Sequence, residues 1–469
     1  MSAENDGANA GEGNADRVIV LDVVGFRREY LGSGHAPNLT DLLGEESAAG
    51  LRPPFPAVTI PVQTTLATGQ SPATHGDVAN GEYDRETDSV AFWERDRGDR
   101  ERIWEAASEA GLTTGALFFQ HLIGTNADVA VTPSPIEDEN NDLIEMNCWT
   151  NPDDFYDELE AEHGHFPLHH YWGPGANERS SEWILTAARE AVERYDPDLL
   201  WVYVPHLDYD AQRHGPGSEA VTEAVETVDA MVGAFVDDLR DDDRWNETAV
   251  SVVSEYGFHE VETPLFPNRV LREAGLLRTR TEDTEGGPEV DIPASEAFAV
   301  VDHQVAHVYA DSDAVSEVRE VLGELEGVAE VLDDEGKAEY GIDHENSGEL
   351  VLVAEPSAWF QYYWWDDDED PPAFATEMDI HAKPGFDPCE LFFGEKTPVS
   401  LSPSRISGSH GRVDDETLGI CGVGGPAAPD EALPGEVDAR QVAPTIADLL
   451  GIEDDLGMDF EASSVGDRS

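Results

Sequence analysis

The chain has 469 residues, with 27 Lys and Arg against 100 Asp and Glu, for a formal net charge of −73. Acid at this density, spread along the chain and not gathered in a tail, argues against nucleic acid as a partner and is the solvation pattern of a halophile-type protein working in concentrated salt. Disorder is excluded by a 40% hydrophobic content that includes 10 Trp, 17 Phe and 12 Tyr, ample material for a large core.

The opening stretch MSAENDGANAGEGNADR has no apolar run and reads as a disordered acidic tail over 1–16, not as a signal peptide. No later stretch approaches the about 18 consecutive apolar residues of a membrane span, so no membrane association and a cytoplasmic location are expected. Buried strands are predicted in RVIVLDVVG (17–25), TTGALFFQ (113–120), PDLLWVYVPHLD (197–208) and TAVSVVSEYG (248–257). Between them APNLTDLLGEE, RIWEAASEAG and SSEWILTAAREAVERY carry apolar residues every three or four positions and read as helices. Strands alternating with helices predict an α/β fold, a mostly parallel sheet covered on both faces, with ligands at the carboxyl ends of the strands. Asp22, Asp208 and Glu255 fall at such ends.

Further along, FAVVDHQVAHVYA is expected as a strand, DAVSEVREVLGELEG as a helix, and VAEVL and GELVLVAE as further strands, making a small inserted α+β subdomain over 261–399. The main sheet resumes with ETLGICGVG and closes with the helix ARQVAPTIADLLGI, so the core is assigned to 17–260 and 400–455 and a flexible tail to 456–469. Cys148, Cys389 and Cys421 are too scattered for a disulfide framework or a Cys-rich zinc site. The aromatics at 118–119 and in AWFQYYWW (358–365) are read as core, with base stacking as the functional alternative.

The segment RPPFPAVTIPVQTTLATG concentrates hydroxyls at a predicted helix start. A threonine hydroxyl has a pKa far above 7 and is a nucleophile only where a cation or a helix N-terminus stabilises its alkoxide. Thr59, just before Pro61, is the candidate nucleophile; the structural alternative is a helix cap. Thr64, Thr65 and Thr68 are read as packing residues. Three carboxylates converging at Asp22, Asp208 and Glu255 would repel one another without a cation, which points to ligation.

In order along the chain, LDVVG, PNLTDLL, FPAVTIP with TLATG, HGDVAN, DYDAQRHGP, SEYGF and GSHG resemble the alkaline phosphatase superfamily, in its type I phosphodiesterase/nucleotide pyrophosphatase branch. The resemblance runs from Val18 to Ile452. It implies an alkaline-phosphatase-like fold and a metal-dependent phosphoric ester hydrolase working through a threonyl-phosphoryl intermediate on a small-molecule phosphoester. It also implies two divalent ions, one held by Asp22, Thr59 and the Glu255–Tyr256 pair, the other by Asp208, Gln212 and His410, with Asn80 offering its NH₂ to a phosphate oxygen. Glu255 stands where the family has Asp, and Gln212 and Tyr256 stand where it has His. Either another histidine replaces these ligands (His214, His303, His307 and His381 are the candidates, His303 and His381 the better two), or the site takes a harder metal, or one ion is lost. Zn²⁺ or Mn²⁺ is expected, with Mg²⁺ as a further option, one ion or two. The alternatives are a phosphomonoesterase or phosphonate hydrolase on the same scaffold, and a ligand-binding relative with a degraded metal site. A sulfatase is disfavoured, because TIPVQ lacks the Cys/Ser-x-Pro-x-Arg pattern.

Overall fold

The β-branched, uninterrupted apolar runs form the strands they predict. The computed structural model describes residues 15–92, 100–138, 143–281, 284, 286–366, 369–377 and 383–467. A nine-stranded sheet runs in the order Glu436–Asp438, Ala49–Arg52, Gly419–Gly424, Thr248–Val253, Arg17–Val23, Leu199–Val204, Thr114–Leu117, Val129–Pro133, Cys148–Asn151. Neighbours are parallel from Thr248–Val253 across to Val129–Pro133, whereas Gly419–Gly424 and Cys148–Asn151 run antiparallel. The three central strands are buried along their whole length, which is why they show no polar alternation. Pro37–Leu43, Arg179–Tyr195 and Glu219–Arg240 form one group of covering helices; Thr59–Thr68, Ile103–Glu109 and Val442–Leu450 form another.

A second, four-stranded antiparallel sheet takes the order Ala297–Asp302, Val305–Ala310, Leu350–Ala354, Val328–Leu332. The single strand expected from FAVVDHQVAHVYA is therefore a hairpin. Its apolar alternation continues through the turn, and the break is made by His303, which takes a left-handed φ of 58°. The aromatic run supplies the core beneath this sheet: Phe360, Tyr362, Tyr363, Trp364 and Trp365 are buried there, Trp359 is buried in a separate cluster with Val261, Cys389 and Ile406, and Phe118 and Phe119 are buried in the main core. All three cysteines are buried and free.

Two expectations at the termini change. Of the predicted tail over 1–16, residues 1–14 lie outside the described residues, while the Ala15 and Asp16 amides donate to Leu449 and Glu247 carbonyls. Residues 456–467, expected as a flexible tail, are tied down: Phe460 and Val465 pack on the main core, and Glu461 accepts from Ser71 and Thr74. Isolated apolar residues in an acidic stretch were enough to anchor it. Among the described residues, no helix is long and apolar enough to cross a membrane.

Candidate active site

Parallel register fixes the first three residues. Asp22 lies opposite Tyr203 and Val253 near the carboxyl end of Arg17–Val23. Asp208 follows the neighbouring strand in the helix His206–His214, and Glu255 follows the other neighbour by two residues. All three carboxyls are buried on this one edge.

Thr59 opens the helix Thr59–Thr68, every residue of which is buried. Pro61 costs no hydrogen bond there, since first-turn amides lack intrahelical acceptors. Gly69 ends the helix in a left-handed conformation (φ 69°) that glycine adopts without strain, its amide donating to Thr65 O. The other hydroxyls bind this helix to the following turn. Thr64 Oγ1 donates to Asp77 Oδ2 at 2.7 Å, Thr65 Oγ1 meets His75 Nε2 at 3.0 Å, and Thr68 Oγ1 donates to Thr64 O.

The Thr59 hydroxyl lies 3.1 Å from the Tyr256 phenol, which donates to Asp208 Oδ1 at 3.4 Å. With the phenol proton so directed, Thr59 is the donor in the first bond. Gln212 Nε2 donates to Asp208 Oδ2 at 2.6 Å. His410 donates through Nδ1 to Ala57 O at 2.8 Å, leaving Nε2 3.9 Å from Asp208 Oδ1, and its ring lies flat on Tyr256 with centroids 3.8 Å apart. Asn80 lies close to the nucleophile's helix. Its Oδ1 accepts from the Ile60 amide at 2.8 Å, and its NH₂ is directed at Asp302 Oδ1 at 3.3 Å, so it caps the nucleophile's helix.

Of the candidate replacement histidines, His303 alone is brought to the site, its ring 3.7 Å from that of His410 and 4.2 Å from Phe386. His307 uses both nitrogens on loop backbone, Nε2 with Val78 O and Nδ1 with Gly348 N, which pairs buried polar groups beside the second sheet. His214 is half-exposed beside Asp210. His381 lies outside the described residues. Two site residues escaped the sequence reading. Gln63 Nε2 donates to Glu255 Oε1 at 2.8 Å while its Oε1 accepts from the Gln120 amide, and Asp302 holds Asn80. Only Gln63's amide on an otherwise apolar and hydroxylic helix could have flagged it.

Burial pushes Asp22 up to about 7 against the opposing pull of its neighbour Glu255, and pushes Glu255 well above the carboxylate range, with the Asp22 charge adding to the effect. Asp208 also rises to about 7 through burial, partly offset by its Gln212 and Tyr256 donors. Burial holds His410 down to about 3, against the Ala57 bond, so it is neutral. Both Asp22 oxygens and Glu255 Oε2 are buried, and no residue outside the Asp22–Glu255 pair donates to them. Buried carboxylate oxygens of this kind are donors that a divalent cation would satisfy. The second set fits less well, since Asp208 has a donor on each oxygen. Among the described residues, no three of Asp22, Asp208, Glu255 and His410 bring ligand atoms within 4.8 Å of one another; the one such group is Glu162, His163 and Glu190 near the surface.

Comparison with known proteins places the chain in a family. The chain is 25% identical over 277 residues to an uncharacterized pyrophosphatase/phosphodiesterase of Schizosaccharomyces pombe, a match covering 57% of this chain and 48% of that protein. It is 24% identical over 259 residues to ectonucleotide pyrophosphatase/phosphodiesterase family member 3 of Bos taurus, covering 52% and 25%. The chain thus matches about half or less of the length of these relatives. In fold it is similar to murine ectonucleotide pyrophosphatase/phosphodiesterase 5 (TM-score 0.62, 16% identity, 96% of this chain and 98% of that one). It is also similar to phosphonoacetate hydrolase from Sinorhizobium meliloti in complex with phosphonoformate (TM-score 0.56, 17% identity, 92% and 94%). The family profile described as type I phosphodiesterase / nucleotide pyrophosphatase matches residues 18–387, most of the sequence, and the chain belongs to that family.

Proposed function

We propose that the chain hydrolyses a small-molecule phosphoric ester by attack of Thr59 Oγ1 on phosphorus. The observation that carries this reading is the Thr59 hydroxyl, placed in the first turn of a buried helix and bonded to Tyr256, whose phenol reaches Asp208, while Gln63 of the same helix holds Glu255. The helix N-terminus favours negative charge at that oxygen and at phosphate. As the Oγ1–P bond forms, the P–O bond to the leaving group breaks and its electron pair goes to the departing oxygen, which leaves as an alkoxide or phosphate and takes its proton from water. The Thr59 proton has a hydrogen-bonded route to the Tyr256 oxygen, and the phenol proton is already directed at Asp208 Oδ1. Water then cleaves the threonyl–phosphoryl bond and restores the hydroxyl. Asp22, Glu255 and Thr59 would hold a divalent cation, whose charge would stabilise the alkoxide and the phosphoryl oxygens. An inactive threonine-to-alanine variant of the murine phosphodiesterase 5 is known in complex with AMP, which supports a nucleotide-like phosphodiester or pyrophosphate as the substrate class.

A second reading is favoured by one observation: Gln212 and Tyr256 supply donors to Asp208 where imidazoles are expected. A ligand-binding relative without turnover would have that arrangement. Turnover of phosphodiesters, phosphomonoesters and phosphonates, each with Zn²⁺, Mn²⁺ and Mg²⁺ in molar KCl, separates the readings. Hydrolysis abolished by Thr59→Ala supports the first. Binding of AMP without hydrolysis under any metal supports the second.

A further inference from the structure

The tip of the hairpin between Ala297–Asp302 and Val305–Ala310 reaches out of the second sheet into the candidate active site. Its three residues each grip a different part of the nucleophile's surroundings. Asp302 accepts from the Asn80 amide at 3.0 Å through Oδ2 and faces the Asn80 NH₂ at 3.3 Å through Oδ1. Asn80 in turn accepts the Ile60 amide at 2.8 Å, one residue from Thr59. His303 lays its ring between those of His410 and Phe386, in a left-handed backbone conformation that a residue with a side chain adopts at a cost. The Gln304 amide donates to His410 O at 2.9 Å, and His410 donates to Ala57 O, two residues before Thr59. Two chains of contacts, one through Asn80 and one through His410, therefore run from this tip to the two sides of Thr59.

We propose that Asp302 is a positioning residue for the nucleophile, fixing the Asn80 amide so that its oxygen pins the Ile60 N–H and with it the first turn that carries Thr59. A carboxylate suits the task. Two adjacent donors of Asn80, the backbone N–H and the side-chain NH₂, meet two acceptor oxygens in a buried setting, and the amide cannot rotate without losing both its cap and its anchor. The substitution Asp302→Asn would turn an NH₂ toward one of those donors.

The proposal rests on the phosphoester reading for its kinetic part and stands apart from it in its structural part. The test compares wild type with Asp302→Asn and with Asp302→Ser, which keeps an acceptor in a smaller volume. Asn268→Ala is the control, since Asn268 bonds Ala299 and Tyr362 backbone in the same second core away from Thr59. With bis(p-nitrophenyl) phosphate, kcat should fall roughly 10- to 100-fold in the Asp302 variants while KM stays within about two-fold, as for a misplaced reacting group. Hydrogen exchange at the Ile60 amide should accelerate in the same variants. Asn268→Ala should lower Tm with kcat and Ile60 exchange unchanged. In the double variant with Asn80→Ala, the two losses should not add, because they break one chain. Unchanged Ile60 exchange in both Asp302 variants, or losses that add, would overturn the proposal. If wild type hydrolyses none of the esters, the functional reading fails, and Ile60 exchange still decides whether Asp302 holds the helix.

Discussion

Replacing Asp22 with Asn should stabilise the cation-free protein at alkaline pH while destroying its response to divalent metal. In the fold Asp22 is fully buried with no donor outside its pair with Glu255, and its pKa rises from 3.8 to about 7 through burial, against the hydrogen bonds from Glu255. A carboxyl whose folded pKa lies above its unfolded one loses stability as pH climbs between the two values, because ionisation is easier in the unfolded chain. The gap of about three pH units, at ~1.4 kcal/mol each, gives roughly 4 kcal/mol against the folded state at pH 8. At pH 5 only about 1 to 2 kcal/mol of that remains. With an unfolding entropy of ~2.1 cal/mol/K per residue, a chain of 469 residues converts the larger figure into a Tm rise of about 4 °C. The amide keeps the side chain's shape and donates to Glu255. Thermal melts in molar KCl with chelator, at pH 5 and pH 8, should show the variant's advantage growing with pH. Added Mn²⁺ should then raise the Tm of wild type and leave the variant unmoved. An Asn variant less stable than wild type at pH 8 in chelator, or one that responds equally to Mn²⁺, would refute the reasoning.

Thr59→Ala should cut kcat/KM on the best phosphoester by orders of magnitude with little change in Tm, and Thr59→Ser should keep part of the activity. Thr64→Ala should do the reverse, because the Thr64 hydroxyl bonds buried Asp77 and its loss costs about 1 to 3 kcal/mol; equal effects at both positions would remove Thr59 from the chemistry. Dialysis from molar KCl into dilute buffer should lower Tm reversibly, since a charge of −73 is then unscreened, and full stability in dilute buffer would refute the halophilic reading. Burial holds His75 down to about 3, so the stability it contributes is complete above the unfolded value of 6.5 and is lost as pH falls from there toward 3; His75→Gln should flatten the acid limb of a Tm–pH profile, and an unchanged limb would show that other groups carry it.

What the sequence made legible at the site is what lies at the end of an apolar run. Asp22, Asp208 and Glu255 each interrupt or follow a buried strand, and parallel register brings such interruptions together without any further information. Thr59 was legible through Pro61, which belongs in a first helical turn. Partnerships between distant segments were not. Gln63 reaches Glu255 across 192 positions and Asn80 reaches Asp302 across 222, and no local pattern distinguishes an amide or carboxylate with such a partner from one in solvent. The hairpin tip was hidden for a related reason: VDHQVAH alternates as a continuous strand does, and only the backbone angle at His303 reveals the turn.

Gln212 and Tyr256 show how the two levels differ in content. As letters they are imidazoles lost from a ligand set. In the fold they are donors gained by Asp208, one on each oxygen, and they lower a pKa that burial alone would raise further. Asp22 Oδ1, Asp22 Oδ2 and Glu255 Oε2 gain no donor from outside their own pair, so the demand for positive charge falls on their side of the site. That is also the side on which Gln63 fixes Glu255 from within the Thr59 helix. The substitutions therefore leave the site unequal: a carboxylate with a neutral donor on each oxygen next to Tyr256, and a carboxyl pair that relies on itself and on Gln63 of the Thr59 helix. A cation drawn to that pair would, in the proposed mechanism, offset the alkoxide charge that develops on Thr59, and the one imidazole left facing Asp208, His410, would be held in place by Ala57 and the His303 ring.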